Sequence, residues 1–299
     1  MRAHSGCRLL AVLGAVLALA RPVVALDIVN YSNTINDRFL PGTYPSSPTN
    51  NTDFWFASLD WSGVGWNVSD PRKSVAMISP THFVAAAHFP VSGQLSFMNS
   101  NGETMTFGVS STINYLTDPV TGSNSDLYVG ELTTPIPSAS NIMSYAVMDL
   151  PSTNSYVGLP MRVYGYRPEG GTNINVPVGI SVGTNVFGGF DEFLGNPVFW
   201  YDQYPATGEA YGQPGDSGSP SFTLVGSTLA LLGTHYLVGD VGGYPATYDT
   251  FMPNYISQIQ SILEADGYTL GLIPEPGATA ALLVACCLLV GWLRRRRSC

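Results

Sequence analysis

Of the 299 residues only 11% are charged, against a usual share of about 25%, while 32 Gly and 22 Pro call for many closely spaced turns. Between the two ends lie five basic residues, a single lysine among them, and 20 acidic ones, a formal charge near −15 that argues against nucleic acid as a partner. Cys7, Cys286, Cys287 and Cys299 all fall in the terminal segments, which excludes a disulfide, a thiol nucleophile or a thiolate zinc site from the folded region.

Arg2 and Arg8 precede an apolar run from Leu9 to Ala20, and Val23, Val24 and Ala25 supply the small residues that a signal peptidase prefers. Residues 1–25 therefore read as an export signal, cut after Ala25, with the mature chain starting at Leu26. Residues 26–53, rich in Pro, Ser, Thr and Asn, read as a loosely structured arm. From Phe54 short β-type runs alternate with Gly, Pro, Asn and Asp: Trp55 to Leu59, Ser74 to Ile78, Met105 to Val109 and Leu127 to Leu132. A linker-like stretch follows, from Pro135 to about Ser155. Strand patterns resume over Met161 to Tyr166, Val176 to Val182, Val198 to Tyr201, Ser221 to Leu224 and Leu229 to Leu232. Ile256, Ile259 and Leu263 then repeat at helical spacing between Pro253 and Gly267, predicting one helix over about 253–266. No repeat, heptad or phosphate-binding glycine loop interrupts this all-β pattern.

The chain closes on Pro274-Glu275-Pro276-Gly277, an apolar run from Ala278 to Leu293 and the arginines Arg294 to Arg297. The run is slightly short for a spanning helix, and the arginines would hold its end on the cytoplasmic side. This order of parts resembles the PEP-CTERM sorting signal of Gram-negative bacteria, over 271–299 with a transmembrane helix at 278–293. The resemblance implies an exosortase, besides signal peptidase, as a processing enzyme, and a cell-surface destination after transient membrane anchoring. An ordinary C-terminal anchor is the other reading of the same residues.

The chemistry concentrates at Gly212-Gln213-Pro214-Gly215-Asp216-Ser217-Gly218-Ser219-Pro220. A serine hydroxyl attacks only when a base takes its proton, and the oxyanion that forms needs aimed N–H donors. Glycines beside the serine permit such a turn, and Gly215 and Ser217 are the candidate donors. The base must come from elsewhere. His88, ending Val84-Ala85-Ala86-Ala87-His88 after a strand and a turn, is the candidate. A carboxylate that fixes the imidazole is expected at Asp126, entering an alternating strand; Asp118 is a rival, in a Thr-Asp-Pro turn where Asp is common for local reasons.

Gly-Asp-Ser-Gly-Ser-Pro, the Ala-Ala-His block and the order His88, Asp126, Ser217 together resemble the chymotrypsin/trypsin-like serine peptidases, from about Trp55 to Gly267. Phe89 stands where many relatives carry a disulfide cysteine. The resemblance implies two six-stranded antiparallel β-barrels, at about 54–140 and 150–252, in a peptidase domain of 54–270. It further implies hydrolysis of a protein or peptide substrate with no metal or organic cofactor. Gly233-Thr234-His235-Tyr236 fits the strand lining the primary specificity pocket, with Tyr236 and Tyr211 beside it. In the glutamate-specific bacterial branch a histidine here binds the substrate carboxylate, so His235 is either that residue or one buried for packing. Trypsin-like zymogens expose an Ile-Val-Gly-Gly terminus that pairs with the Asp before the serine, and Leu26-Asp27-Ile28-Val29 lacks its glycines. Arg162 is therefore the expected partner of Asp216, as an unpaired buried charge is costly. A non-catalytic binding or matrix protein on the same fold is the rival reading.

Overall fold

The N-terminal arm is part of the fold. In the computed structural model, which describes residues 26–168, 178–193, 195–204 and 206–274, strand β1 (Asp27–Ile28) pairs antiparallel with a short strand at Ala210–Tyr211. A four-residue helix, α1 (Asn33–Asn36), follows. Leu26, Ile28, Phe39 and Tyr44 are buried. The arm's polar residues, expected to leave it loose, are spent inside it: Asn51 Nδ2 donates to the carbonyls of Asn33, Thr34 and Asp37. An amide side chain that closes a loop in this way substitutes for regular backbone pairing. The expected export signal and membrane helix lie outside the described residues; among those described, no helix is long and apolar enough to cross a membrane.

The first β-unit is a closed barrel of β2 (Val64–Asn67), β3 (Ser74–Met77), β4 (His82–Ala86), β5 (Gln94–Met98), β6 (Thr104–Thr117) and β7 (Asn124–Leu132), in the order β2-β3-β4-β7-β6-β5. β2, β3 and β4 are buried on both faces while β6 is largely exposed or half-buried, and the two-residue period sorts the buried side chains into two cores. Val75, Met77, Phe83, Ala85, Phe97 and Tyr128 form one cluster. Their neighbours Ala76, Ile78, Val84, Leu127 and Val129 join Tyr145, Tyr164, Phe222 and Leu231 of the second unit. The second cluster is the seam between the units, so the first fills the barrel. Gly130 is needed there, because a Cβ on it would stand 2.4 Å from the Phe83 ring.

The second unit comprises β8 (Ala146–Asp149), β9 (Pro160–Pro168), β10 (Val178–Val186), β11 (Gly189–Phe193), β12 (Asn196–Asp202), β13 (Ala210–Tyr211), β14 (Pro220–Val225), β15 (Thr228–Val241) and β16 (Tyr244–Phe251). With β17 (Leu272–Pro274), all but β13 form a nine-stranded sheet along the path β10-β9-β14-β15-β16-β12-β11. The path itself has seven strands, one more than the six expected, and β8 and β17 add to it in parallel, β8 against β15 and β17 against β8. β8 lies inside the stretch that reads as a linker, and its Val147 and Met148 are buried. After a 3-10 turn (Met252–Tyr255) that holds Pro253, helix α2 (Ile256–Ala265) lays Ile259 and Leu263 into the seam. His82 Nε2 meets Asp266 Oδ2 at 3.0 Å and ties the helix end to the first barrel.

Candidate active site

The three expected residues converge at the seam. β4 ends at Ala86, and Ala87 N–H donates to the Asp126 carbonyl at 2.7 Å, leading His88 past the start of β7. Asp126, 6% exposed, accepts from the His88 backbone N–H at 2.9 Å and from Nδ1 at 2.8 Å. A carboxylate only accepts, so Nδ1 carries the proton. Nε2 then has its lone pair free for the Ser217 hydroxyl, 2.8 Å away. Asn196 Oδ1, from β12, accepts the Asp126 N–H at 3.2 Å and ties this corner to the second unit. Asp118 instead binds its own turn, accepting from Val120 and Thr121.

Ser217 sits on a tight turn that needs its glycines. Gly215 has φ +114° and Gly218 φ +82°, conformations that side chains disfavour. A Cβ on Gly218 would also lie 3.1 Å from the Ala86 nitrogen. Among the described residues, the N–H groups of Gly215 and Ser217 have no protein acceptor, although Asp216, Gly218 and Ser219 between and after them all donate. Two unspent donors thus flank a hydroxyl that is hydrogen-bonded to an imidazole, and an oxyanion formed there would need such donors.

Asp216 is what holds this turn. Its side chain is buried and accepts from Gln213 N–H at 2.9 Å, Tyr166 N–H at 2.8 Å and the Leu26 backbone nitrogen at 2.7 Å. Burial pushes its carboxyl up to about 6, while His235 and the three backbone donors pull the other way. Arg162 is not its partner. Along β9 the odd residues face Asp216, and Gly165 yields it space, since a Cβ there would lie 2.7 Å from Oδ1. Arg162, one of the even residues, points to the opposite face. There its guanidinium stacks over Phe56 at 4.8 Å and Nη1 donates to the Met161 carbonyl.

Beside Ser217 opens a cavity of about 210 Å³ lined by Gly212, Gln213, Pro214, His235, Tyr236, Leu237, Val238 and Thr247. Tyr236 stands against the His88 ring, with centroids 5.8 Å apart. Tyr211 is not in the lining; it sits in β13 opposite Asp27. His235 is buried under the cavity with both nitrogens taken. Nδ1 is 2.7 Å from Asp249 Oδ1 and 3.1 Å from the Tyr201 hydroxyl, and Nε2 is 2.9 Å from the Tyr164 carbonyl. Burial alone would lower its pKa, yet the Asp249 carboxylate overrides this and raises it. Carboxylate and carbonyl both only accept, so the ring donates from both nitrogens and has no N–H left for a substrate.

Leu26, Asp249 and Asn196 are the site residues that sequence reasoning missed. Leu26 carried a signal, as the expected first residue of the mature chain, but the absence of the two glycines pointed away from the contact with Asp216 that the structure shows. Phe89, beside His88, is covered by Lys73 Nζ, 4.5 Å from its ring centre.

No family model matches this chain, and no curated protein matches it in sequence. Among solved structures it is similar to a mutant of human heparin-binding protein, with a TM-score of 0.52 at 16% identity, over 69% of this chain and 93% of that one. The fold is chymotrypsin-like. At that identity the similarity concerns the fold, so any activity must be argued from the site.

Proposed function

We propose that the protein is an exported serine endopeptidase that cleaves peptide bonds through an acyl-enzyme. The observation carrying this is the continuous chain Asp126–His88–Ser217, at 2.8 Å for each link, ending beside two free N–H groups. Ser217 Oγ attacks the carbonyl carbon while His88 Nε2 takes its proton. Asp126 stabilises the imidazolium, and the N–H groups of Gly215 and Ser217 receive the oxyanion. His88 then gives the proton to the leaving amine, and water releases the acyl group by the same steps. No step calls on a metal or organic cofactor. Fluorophosphonate labelling of the exported protein beside Ser217→Ala tests this: labelling that the variant loses is expected, and a folded parent that stays unlabelled defeats the reading.

His235, Tyr236 and the cavity beside Ser217 are proposed to seat the side chain preceding the cut. With His235 spent on Asp249 and Tyr164, and Leu237, Val238 and Pro214 in the wall, this cavity suits an uncharged apolar side chain. That replaces the acidic preference which the glutamate-specific branch implies. A peptide library cleaved only after Glu or Asp would reverse it.

Signal-peptide removal after Ala25 would free an α-amine at the Leu26 nitrogen, 2.7 Å from Asp216. Export processing would thus supply the counter-charge that Arg162 does not. Surface sorting through the exosortase signal completes the proposal. The binding-protein reading takes support from the heparin-binding neighbour, but a formal charge near −15 disfavours a polyanion such as heparin.

A further inference from the structure

Away from the seam's catalytic end, a cavity of about 450 Å³ lies between the end of the arm and the first barrel. That is within the range of small-molecule sites. Its walls come from residues 50–62 and from the turn Met98–Ser100, with Arg38 at its inner side. Arg38 is 5% exposed, and among the described residues no carboxylate stands within ion-pair distance of it.

What it does have is neutral. Nη1 donates to the Val64 carbonyl at 3.3 Å and to the Tyr164 hydroxyl at 3.2 Å, both long, and the guanidinium stacks on Phe39 at 4.7 Å. Among the described residues Nε and Nη2 have no protein acceptor, and neither is among the fully enclosed polar atoms. A buried guanidinium without an anion is costly, and structures normally neutralise one with a carboxylate. Here two donors of its fork remain, on the residue that lines the cavity.

We propose that this cavity binds a small monocarboxylate with an apolar or aromatic body, its carboxylate received by Arg38 Nε and Nη2. The walls set the rest of the ligand. Phe54, Trp61, Leu59 and Met98 offer apolar surface. Asp60 also lines the cavity, and its negative charge works against a phosphate or sulfate dianion while leaving a single carboxylate at Arg38 tolerable. The site is independent of Ser217 chemistry and holds whether or not the protein is a peptidase.

Isothermal titration of the purified full-length protein tests it, with 3-phenylpropanoate as probe, its neutral counterpart 3-phenylpropanol, and inorganic phosphate and sulfate. Saturable binding of the acid, at least ten-fold tighter than the alcohol and either dianion, is expected. Arg38→Met should abolish it. Because a buried arginine can matter for folding, Ala57→Trp is the second variant: Ala57 is exposed and lines the cavity, so an indole there takes up ligand space and leaves the arginine in the sequence. It should lose the acid while keeping the parent's melting temperature. No saturable binding, equal binding of acid and alcohol, preference for a dianion, or an Ala57→Trp protein that binds like the parent would each overturn the proposal.

Discussion

Asp126 both positions and polarises His88, because its two oxygens take different N–H groups of the same residue. Replacing it by Asn keeps the shape but allows the amide to donate to Nδ1, which moves the ring proton to Nε2 and removes the base. Asp126→Asn should therefore retain the parent's melting temperature and lower turnover, or the fluorophosphonate labelling rate, by a factor on the order of 10⁴. Asp249 has the opposite character, being structural. His235 has a raised pKa, so its pairing with Asp249 stabilises the fold fully below about 6.5 and loses that effect as pH rises through the folded value. Asp249→Asn should cost about 3–5 kcal/mol near pH 6, since it leaves a buried imidazolium unpaired. Urea unfolding at pH 6 and pH 9 reads both the loss and its shrinkage at the higher pH.

At the level of elements, what could be read in the sequence followed from how local the determinant was. The turn at Ser217 was legible because its glycines are dictated by φ within a few residues, and His88 because it closes a strand of small residues. α2 was legible from a single apolar stripe. β8 was not: Val147 and Met148 sit among Pro, Ser and Asn, and only pairing with β15 and β17 makes Ala146–Asp149 a strand. The arm looked loose for the same reason, as Asn51 reaches carbonyls up to 18 residues away. Arg162 differs from expectation by register, since a strand pattern marks β9 but not which of its faces meets Asp216. Register also makes Gly130 a sharp test of the first barrel. Gly130→Ala brings a methyl within 2.4 Å of the Phe83 ring, in a lumen packed on all sides. It should destabilise by about 1–3 kcal/mol in urea unfolding, and a neutral change would mean that the ring has room to move.

For the whole molecule, the decisive contact is the hydrogen bond that spans most of the described chain, Leu26 to Asp216, 190 positions apart. It sets the Ser217 turn against the first residue expected to survive export, so processing and stability should be coupled through one carboxyl. While the Leu26 nitrogen is an amide, Asp216 has its pKa raised from 3.8 to about 6. The folded chain then holds this proton more tightly than the unfolded one. The advantage is complete below 3.8 and is lost as pH rises through about 6, a penalty of about 3 kcal/mol at neutral pH. A free α-ammonium at the same distance would supply the missing positive charge and remove that penalty. Protein cut after Ala25 should therefore melt higher than the uncut chain at pH 7, with the gap closing toward pH 4. Acetylating the new terminus should restore the uncut behaviour and slow labelling of Ser217. Thermal melts of cut, uncut and acetylated protein across pH 4–8, with N-terminal sequencing of the cut form, read this directly. Identical melting curves for all three would dissociate the Leu26 contact from any role in maturation.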